Sequence, residues 1–296
     1  MYELNFFVDY YDRELNSFGK ESFEIISVHK RCINFLNKRK QKVISLILSD
    51  EIPYIFSPYS IIMDKQKYKG ENFYDIFSIH KKFYWQGKSL VCFNISGFTK
   101  INFDFRYAEQ YKLDSYSDIL HNSRNFEGLY ENILVIKRLV STNKITPEVL
   151  SGIDTTLVCI KKQKLCQLRK HINENIGLGR GSTPEFDDFL CALVVSLELF
   201  ARMVNNSQVK KLLDIVKLAS YSYMNRTTML SRIFMSYIFD GRLPKKLSQL
   251  FISGLNRDKE GILRCTKIIL NDGETSGNVF LYGILKSMEV LNEKYS

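Results

Sequence analysis

Residues 175–195, NIGLGRGSTPEFDDFLCALVV, set three glycines at alternate positions before a Thr-Pro pair, then two adjacent aspartates, then an apolar run. Thr183 followed by Pro184 predicts a helix start: a threonine hydroxyl accepts from the free amides of a first turn, and proline at the first helical position loses no hydrogen bond. Upstream, Gly177, Gly179 and Gly181 permit positive φ and let main-chain amides approach a ligand without a Cβ in the way. Loop and helix N-terminus together are a candidate anion-binding concavity. Two phosphate-loop patterns fail here, because no lysine follows the last glycine and the G-x-G-x-x-G spacing is absent.

Asp187 and Asp188 fall in the first turns of that helix, directed about 100° apart. They would repel an unshielded phosphate. They suit a magnesium site, or hydrogen bonds to substrate amines while Arg180 meets a carboxylate or phosphate. The plainer alternative is that acids near a helix N-terminus are favourable by dipole alone, ~0.3–1 kcal/mol each. That explains one aspartate more easily than two beside so many glycines. Further on, Leu190, Leu193, Leu197 and Val204 form a core stripe without chemistry.

Two later stretches share the glycine-hydroxyl character. In LNDGETSGNVFLYGILKSM, Gly273 closes one helix, Thr275 and Ser276 are capping candidates for the next, and Gly277 makes room for a ligand or another backbone. In SYMNRTTMLSR, Asn225, Thr227 and Thr228 stand at a further helix start, where capping explains the threonines at least as well as binding does. Beside the first loop, the Gly-Thr-Ser turn would line one pocket from the opposite side.

The chain of 296 residues is long enough to bury a core without disulfides or metals. Its first residues lack the basic-then-apolar order of a secretory signal, and no uncharged apolar run approaches the ~20 residues of a membrane span. A soluble, cytoplasmic protein is expected. Six cysteines and four histidines show no C-x-x-C pair and no zinc spacing, so buried reduced thiols are expected. The net charge of +10 is spread over short lysine runs interrupted by acids, which favours small anionic ligands over nucleic acid.

Residues 23–105 read as short strands: FEIISVH, KVISLILS, YSIIM, SLVCFNIS and KINFDF, punctuated by Pro53, Pro58, Gly70, Gly87 and Gly97. The segment RCINFLN fits a strand edge or a turn equally well. From Leu129, Ile133, Ile136 and Val140 onward the apolar period becomes helical. Helices are predicted near 126–141, 146–153, 157–174, 184–205, 208–222, 226–239, 244–255, 258–270 and 278–293, with Gly241, Gly254 and Gly273 as C-terminal breakers. The expected class is α+β, a β-rich N-terminal region (1–122) packed on an α-helical region (123–296) that carries the glycine-rich loop.

Gly177, Leu178, Gly179, Gly181, Thr183, Pro184, Asp187, Asp188, Phe189 and Leu190 fit the pattern G-L-G-x-G-x-T-P-x-x-D-D-F-L. In this the chain resembles domain-of-unknown-function family 2877, which includes a subunit associated with bacterial oxamate carbamoyltransferase. A second family segment, G-x-x-S-G-x-D-x-L-x-G-x-L, is similar to the stretch holding Gly273, Ser276, Gly277, Leu281, Gly283 and Leu285. SVHKRCINFLN and SPYSIIM look like the family's β-rich opening. The chain departs from the family at Ser182, Glu185 and Phe186, and at Asn278 and Val279 where the family offers Trp-Asp.

The resemblance implies carbamoyl, ureide or related nitrogen metabolism. The expected function is then an enzyme or enzyme subunit acting on a small carbamoyl, carboxylate or phosphate compound, with Arg180 orienting the anion and Asp187 or Asp188 holding magnesium or acting as base. The other reading is a regulatory or scaffold subunit that binds a metabolite without turnover. Partner subunits or self-association fit both.

Overall fold

The computed structural model describes residues 2–8, 10–12, 15, 20–29, 32–39, 42–49, 60–64, 82–86, 89–94, 97–104, 109–111, 114–120, 124–271 and 275–295. The chain divides into two units, residues 1–113 and 114–296. The first is β and the second almost wholly α, so the class is α+β. Pro53, Pro58, Gly70, Gly87 and Gly273 lie outside the described residues.

In the first unit the described strands are β1 (Tyr2–Phe7), β2 (Tyr10–Asp12), β3 (Glu21–His29), β4 (Cys32–Asn37), β5 (Lys42–Ser49), β6 (Ser60–Asp64), β7 (Lys82–Gln86), β8 (Ser89–Asn94), β9 (Gly97–Asp104) and β10 (Glu109–Tyr111). They form one mixed sheet in the order β1-β9-β8-β7-β3-β4-β5-β6-β2-β10. From Cys32 on, the segment RCINFLN forms β4, antiparallel to both β3 and β5, with every residue from Ile33 to Asn37 buried. Burial on both faces removes the polar-apolar alternation that marks a strand, which is why sequence left it open. The core includes Phe35 edge-on to Phe83 at 5.0 Å and Trp85 stacked on Phe103 at 6.0 Å. Asn34, buried in β4, is satisfied from both sides: it donates to the Ser27 hydroxyl at 2.8 Å and accepts from that of Ser45 at 2.7 Å.

In the second unit, β11 (Asp114–Ser115) pairs with β12 (Arg242–Leu243), and the helices are α1 (Tyr116–Leu120), α2 (Phe126–Ile133), α3 (Pro147–Lys161), α4 (Leu165–Asn175), α5 (Glu185–Val204), α6 (Ser207–Tyr223), α7 (Met229–Phe239), α8 (Lys245–Leu255), α9 (Lys259–Leu270) and α10 (Ser276–Tyr295). Helix α5 is the axis of this unit, buried continuously from Glu185 to Ala201. It packs against α10 along their length and against α6, α7, α3 and α2 around its circumference. A helix apolar on all sides belongs at such a centre. Each fully buried Leu, Val or Phe there contributes about 1.5–3 kcal/mol.

Three boundaries differ from the sequence reading. The helices expected at 146–153 and 157–174 break instead after Lys161, where Gln163 takes φ +56° and the Lys164 amide turns back to the Cys159 carbonyl at 2.9 Å. The helix expected over 126–141 tightens into a 3-10 turn, Leu134–Arg138. Gly241 does end a helix at φ +82°, but Gly254 lies within α8, where a Cβ would come 2.7 Å from Leu129 Cδ1. Gly254 admits α2; the left-handed residue after α8 is Arg257, φ +58°.

The α5–α10 seam depends on Gly283. A Cβ there would sit 2.7 Å from Ala192 Cβ and 3.1 Å from Phe189 Cδ2. In a free helix Gly→Ala gains about 1 kcal/mol. Overpacking a core costs about 1–3 kcal/mol, so the clash outweighs the propensity gain. Gly283→Ala should lower the urea midpoint, and adding Ala192→Gly should recover most of the loss; a midpoint raised by Gly283→Ala alone would refute the packing argument.

Candidate functional site

The loop between α4 and α5 takes the shape its glycines permit, with φ of +82° at Gly177, +110° at Gly179 and +91° at Gly181. Two of the three are also places of close approach. A Cβ on Gly177 would meet the Arg226 carbonyl oxygen at 2.8 Å, and one on Gly179 the Glu185 amide nitrogen at 2.8 Å. A Cβ on Gly181 would make only ordinary contact, 3.5 Å from the Thr183 carbonyl oxygen, and Gly181, like Gly179 and Arg180, is exposed.

Main-chain bonding is uneven along this loop. Leu178 N–H donates to Asn175 O at 2.9 Å, and Phe186 N–H closes back on Leu178 O at 3.0 Å. Between them, the amides of Gly179, Arg180, Gly181, Ser182 and Thr183 meet no acceptor among the described residues. Adjacent unsatisfied N–H groups before a helix are the physical basis of anion binding at such termini. Arg180 stands beside them. Its guanidinium pairs with Glu185 at 3.2 Å and reaches Lys144 O at 3.4 Å, while its side chain stays 60 % exposed. Glu185 is fully buried, and its second oxygen accepts from the Thr146 amide at 3.1 Å and hydroxyl at 2.7 Å. One carboxylate thus orients the arginine and caps the start of α3.

The two aspartates lie beneath the loop, each 1 % exposed. Asp187 accepts from the Gly177 amide at 2.8 Å on one oxygen, and from the hydroxyls of Thr227 and Ser231 on the other. Burial raises its carboxyl above the usual range, and the Ser231, Thr227 and Gly177 donors pull it part of the way back. Asp188 is pushed up further, by burial first and then by the charges of Asp187 and Glu185; the hydroxyls of Ser276 and Thr183 oppose this. Cys191 one turn on is raised well above its ordinary value by burial and by both aspartates, an inert thiol as expected.

The helix start differs in detail from the sequence reading. Pro184 occupies the capping position without any side-chain cap, and α5 begins at Glu185. The Thr183 hydroxyl meets that of Ser276 at 3.0 Å instead. This contact brings the first loop and the head of α10 together, though the two stretches are 93 positions apart. Ser276 is the first residue of α10, and Thr275 contributes its carbonyl, accepting from the Val279 amide at 3.0 Å. Gly277 serves the second of its two predicted uses, another backbone: a Cβ there would collide with the Ile269 carbonyl of α9. The third stretch converges as well. Thr228 caps α7 by accepting from Ser231 N–H at 3.1 Å, and its hydroxyl donates to Ser182 O. Asn225 is exposed in the turn just before it.

Sequence reasoning missed Ser231, Thr146 and Lys246. Lys246 is 1 % exposed on α8, in line with the apolar stripe Leu247, Leu250, Phe251 and Gly254. A lysine in an apolar stripe at a helix N-terminus was the available signal. Among the described residues no group of three or more His, Cys, Asp or Glu is placed to hold a metal ion, and no helix is long and apolar enough to cross a membrane.

A solvent-facing loop of free amides at the head of a buried helix, flanked by an oriented arginine, defines a candidate small-anion site. Residues 175–288, which contain both glycine motifs, match the family described as oxamate carbamoyltransferase subunit AllH. That is the family to which the motifs pointed; the match lies within the helical unit, leaving its first helices and the β unit outside it. No curated protein and no solved structure matches the chain.

Asn278, standing in the motif that departs from the family, has its own contact. Buried to 2 %, it accepts from Ser141 N–H at 2.9 Å and donates to Ser141 O at 2.7 Å. An ionised aspartate could only accept, leaving the carbonyl facing a buried charge. Asn278→Asp should therefore cost about 1–3 kcal/mol at pH 7. Such a carboxyl is raised in the folded state, so the loss is present above its folded-state pKa and fades as pH falls toward the unfolded carboxylate value near 4; an equal loss at pH 4 and pH 7 would refute this. Asp187→Ala orphans three donors and should cost about 2 kcal/mol or more, against about 1 kcal/mol for Asp187→Asn, by urea unfolding.

Proposed function

We propose that this chain is a subunit of a carbamoyl-transferring enzyme that holds a small anion, a carboxylate, carbamoyl or phosphate group, on the loop 177–183. The observation that carries this reading is the run of unpartnered amides from Gly179 to Thr183 beside the Arg180 guanidinium. The match to a carbamoyltransferase subunit family over the same residues supports it. Arg180 orients the anion with charge-assisted hydrogen bonds. The free amides stabilise negative charge without reorganising, which is how such loops contribute to transfer chemistry.

Asp187 and Asp188 have a different role from that of base or magnesium ligand. They anchor the loop from below, with Asp187 holding Gly177, Thr227 and Ser231, and Asp188 near the hydroxyls of Thr183 and Ser276. Thr228 fixes Ser182 from the side, and Asn225 stands at the exposed rim. The remaining chemistry then belongs to partner subunits.

The second reading, a regulatory or scaffold subunit that binds a metabolite without turnover, is favoured by one observation: both oxygens of Asp187 are engaged by internal donors. Purified protein assayed with carbamoyl phosphate and amide acceptors, with and without magnesium, separates the two. Turnover supports a catalytic subunit; thermal stabilisation without turnover supports the other. Arg180→Gln should weaken carbamoyl phosphate binding about tenfold or more, the loss of one charge-assisted contact. Gly179→Val should abolish it, since φ and space both exclude a side chain there. Unchanged affinity in both variants would remove the loop from the site.

A further inference from the structure

A cavity of about 230 Å³ opens in the helical unit between α10 and the segment that leads from α2 into the 3-10 turn Leu134–Arg138. No residue of the loop 177–183 lines it. From α10 it takes Tyr282, Leu285, Lys286 and Glu289, which at i, i+3, i+4 and i+7 share one helical face. Tyr130, Leu134 and Lys137 line it from the other side, followed by Val140. The void is far larger than the ~10–15 Å³ that holds one water. It is smaller than the ~300–1,000 Å³ of drug-sized sites, so it suits a small guest.

The polar groups around it are unequally answered. Lys286 and Glu289 pair with each other at 2.6 Å and together add no net charge. Lys137 is exposed and meets no acid or other acceptor among the described residues. Tyr282 is only 9 % exposed, yet its hydroxyl has no hydrogen-bond partner among those residues, and neither has that of Tyr130. A tyrosine buried to this degree ordinarily finds a partner for its hydroxyl. Burial raises both phenols above their ordinary value, so both stay neutral donors at physiological pH. What is left over is one ammonium and two O–H donors beside the apolar walls of Leu134, Val140 and Leu285.

We propose that this cavity is a second ligand site, for a small carboxylate with an apolar or aromatic body. The unanswered groups are an ammonium and two hydroxyls that donate, so the guest accepts, and the ammonium without a counter-ion selects negative charge. The apolar walls favour an organic acid over inorganic phosphate, whose oxygens would face carbon and lose their hydration unpaid. The proposal stands apart from the anion-binding reading of the loop, since the two sites share no residue.

The test is calorimetric titration of the purified protein with benzoate, cyclohexanecarboxylate and hexanoate, with benzamide as the uncharged control. At least one of the acids should bind at millimolar concentration or below, and benzamide about tenfold more weakly than benzoate. Lys137→Met should weaken the acid about tenfold, the loss of one charge-assisted contact. Val140→Trp, which fills the cavity, should abolish binding, while Arg180→Gln leaves it unchanged. Binding of none of the acids overturns the inference, as does full affinity in Lys137→Met. A loss in Arg180→Gln with none in Lys137→Met also overturns it, because the acid then sits on the loop. Should Val140→Trp fail to fold by its urea midpoint, Tyr282→Phe decides in its place: the lost hydroxyl should weaken the acid about fivefold, and unchanged affinity overturns the assignment. If an acid binds in this way while carbamoyl phosphate does not bind at all, the reading of the loop falls and this inference stands.

Discussion

A loop whose amides are left open to solvent cannot hold its own shape, and here its shape is imposed by two neighbouring carboxylates. Asp187 and Asp188 leave the first turns of α5 about 100° apart, which lets one reach back to Gly177 and the other face the Thr183 end. The pair that looks redundant in sequence is two anchors for the two ends of one loop. Everything else at the site is arranged around that division: Ser231 and Thr227 serve one anchor, Ser276 the other.

The arrangement concentrates negative charge. Glu185, Asp187 and Asp188 lie within a single turn, all buried. The helix dipole contributes about 2 kcal/mol at most to each, too little to offset taking three carboxylates out of water. Each is answered separately: Glu185 by Arg180 and Thr146, Asp187 by three neutral donors, and Asp188 by two hydroxyls. This brings α3, α7 and α10 to the head of α5, so the site and the packing of the helical unit are set by the same contacts.

How much of this was legible depended on whether the signal was local. The division into β and α regions follows from periodicity, and the loop from the spacing of Gly177, Gly179 and Gly181, residues that permit the positive φ they take here. Thr183 was misjudged because a Thr-Pro pair satisfies the local rule for a cap, while its hydroxyl is claimed by Ser276 from far along the chain. The break at Gln163 was missed because no glycine or proline marks it. Ser231 was invisible because its partner lies on another helix and nothing in its own neighbourhood reports it, whereas Lys246, a cation in an apolar stripe at a helix start, left a local signal. Asn278 shows the converse, since a residue standing where the family has tryptophan is a two-way hydrogen-bonding group in the fold.

The bareness of the loop carries a cost in selectivity. Peptide N–H groups present the same partial charge whatever residue bears them, so a cradle built from them sorts guests by size and valence but is blind to the rest of the molecule. On the proposed reading, recognition of anything beyond one small oxyanion must then be written in the side chains at its edge. On this chain the exposed rim offers forked cations at Arg180 and Arg226, an amide at Asn225 and a hydroxyl at Thr228, a short vocabulary for naming a guest.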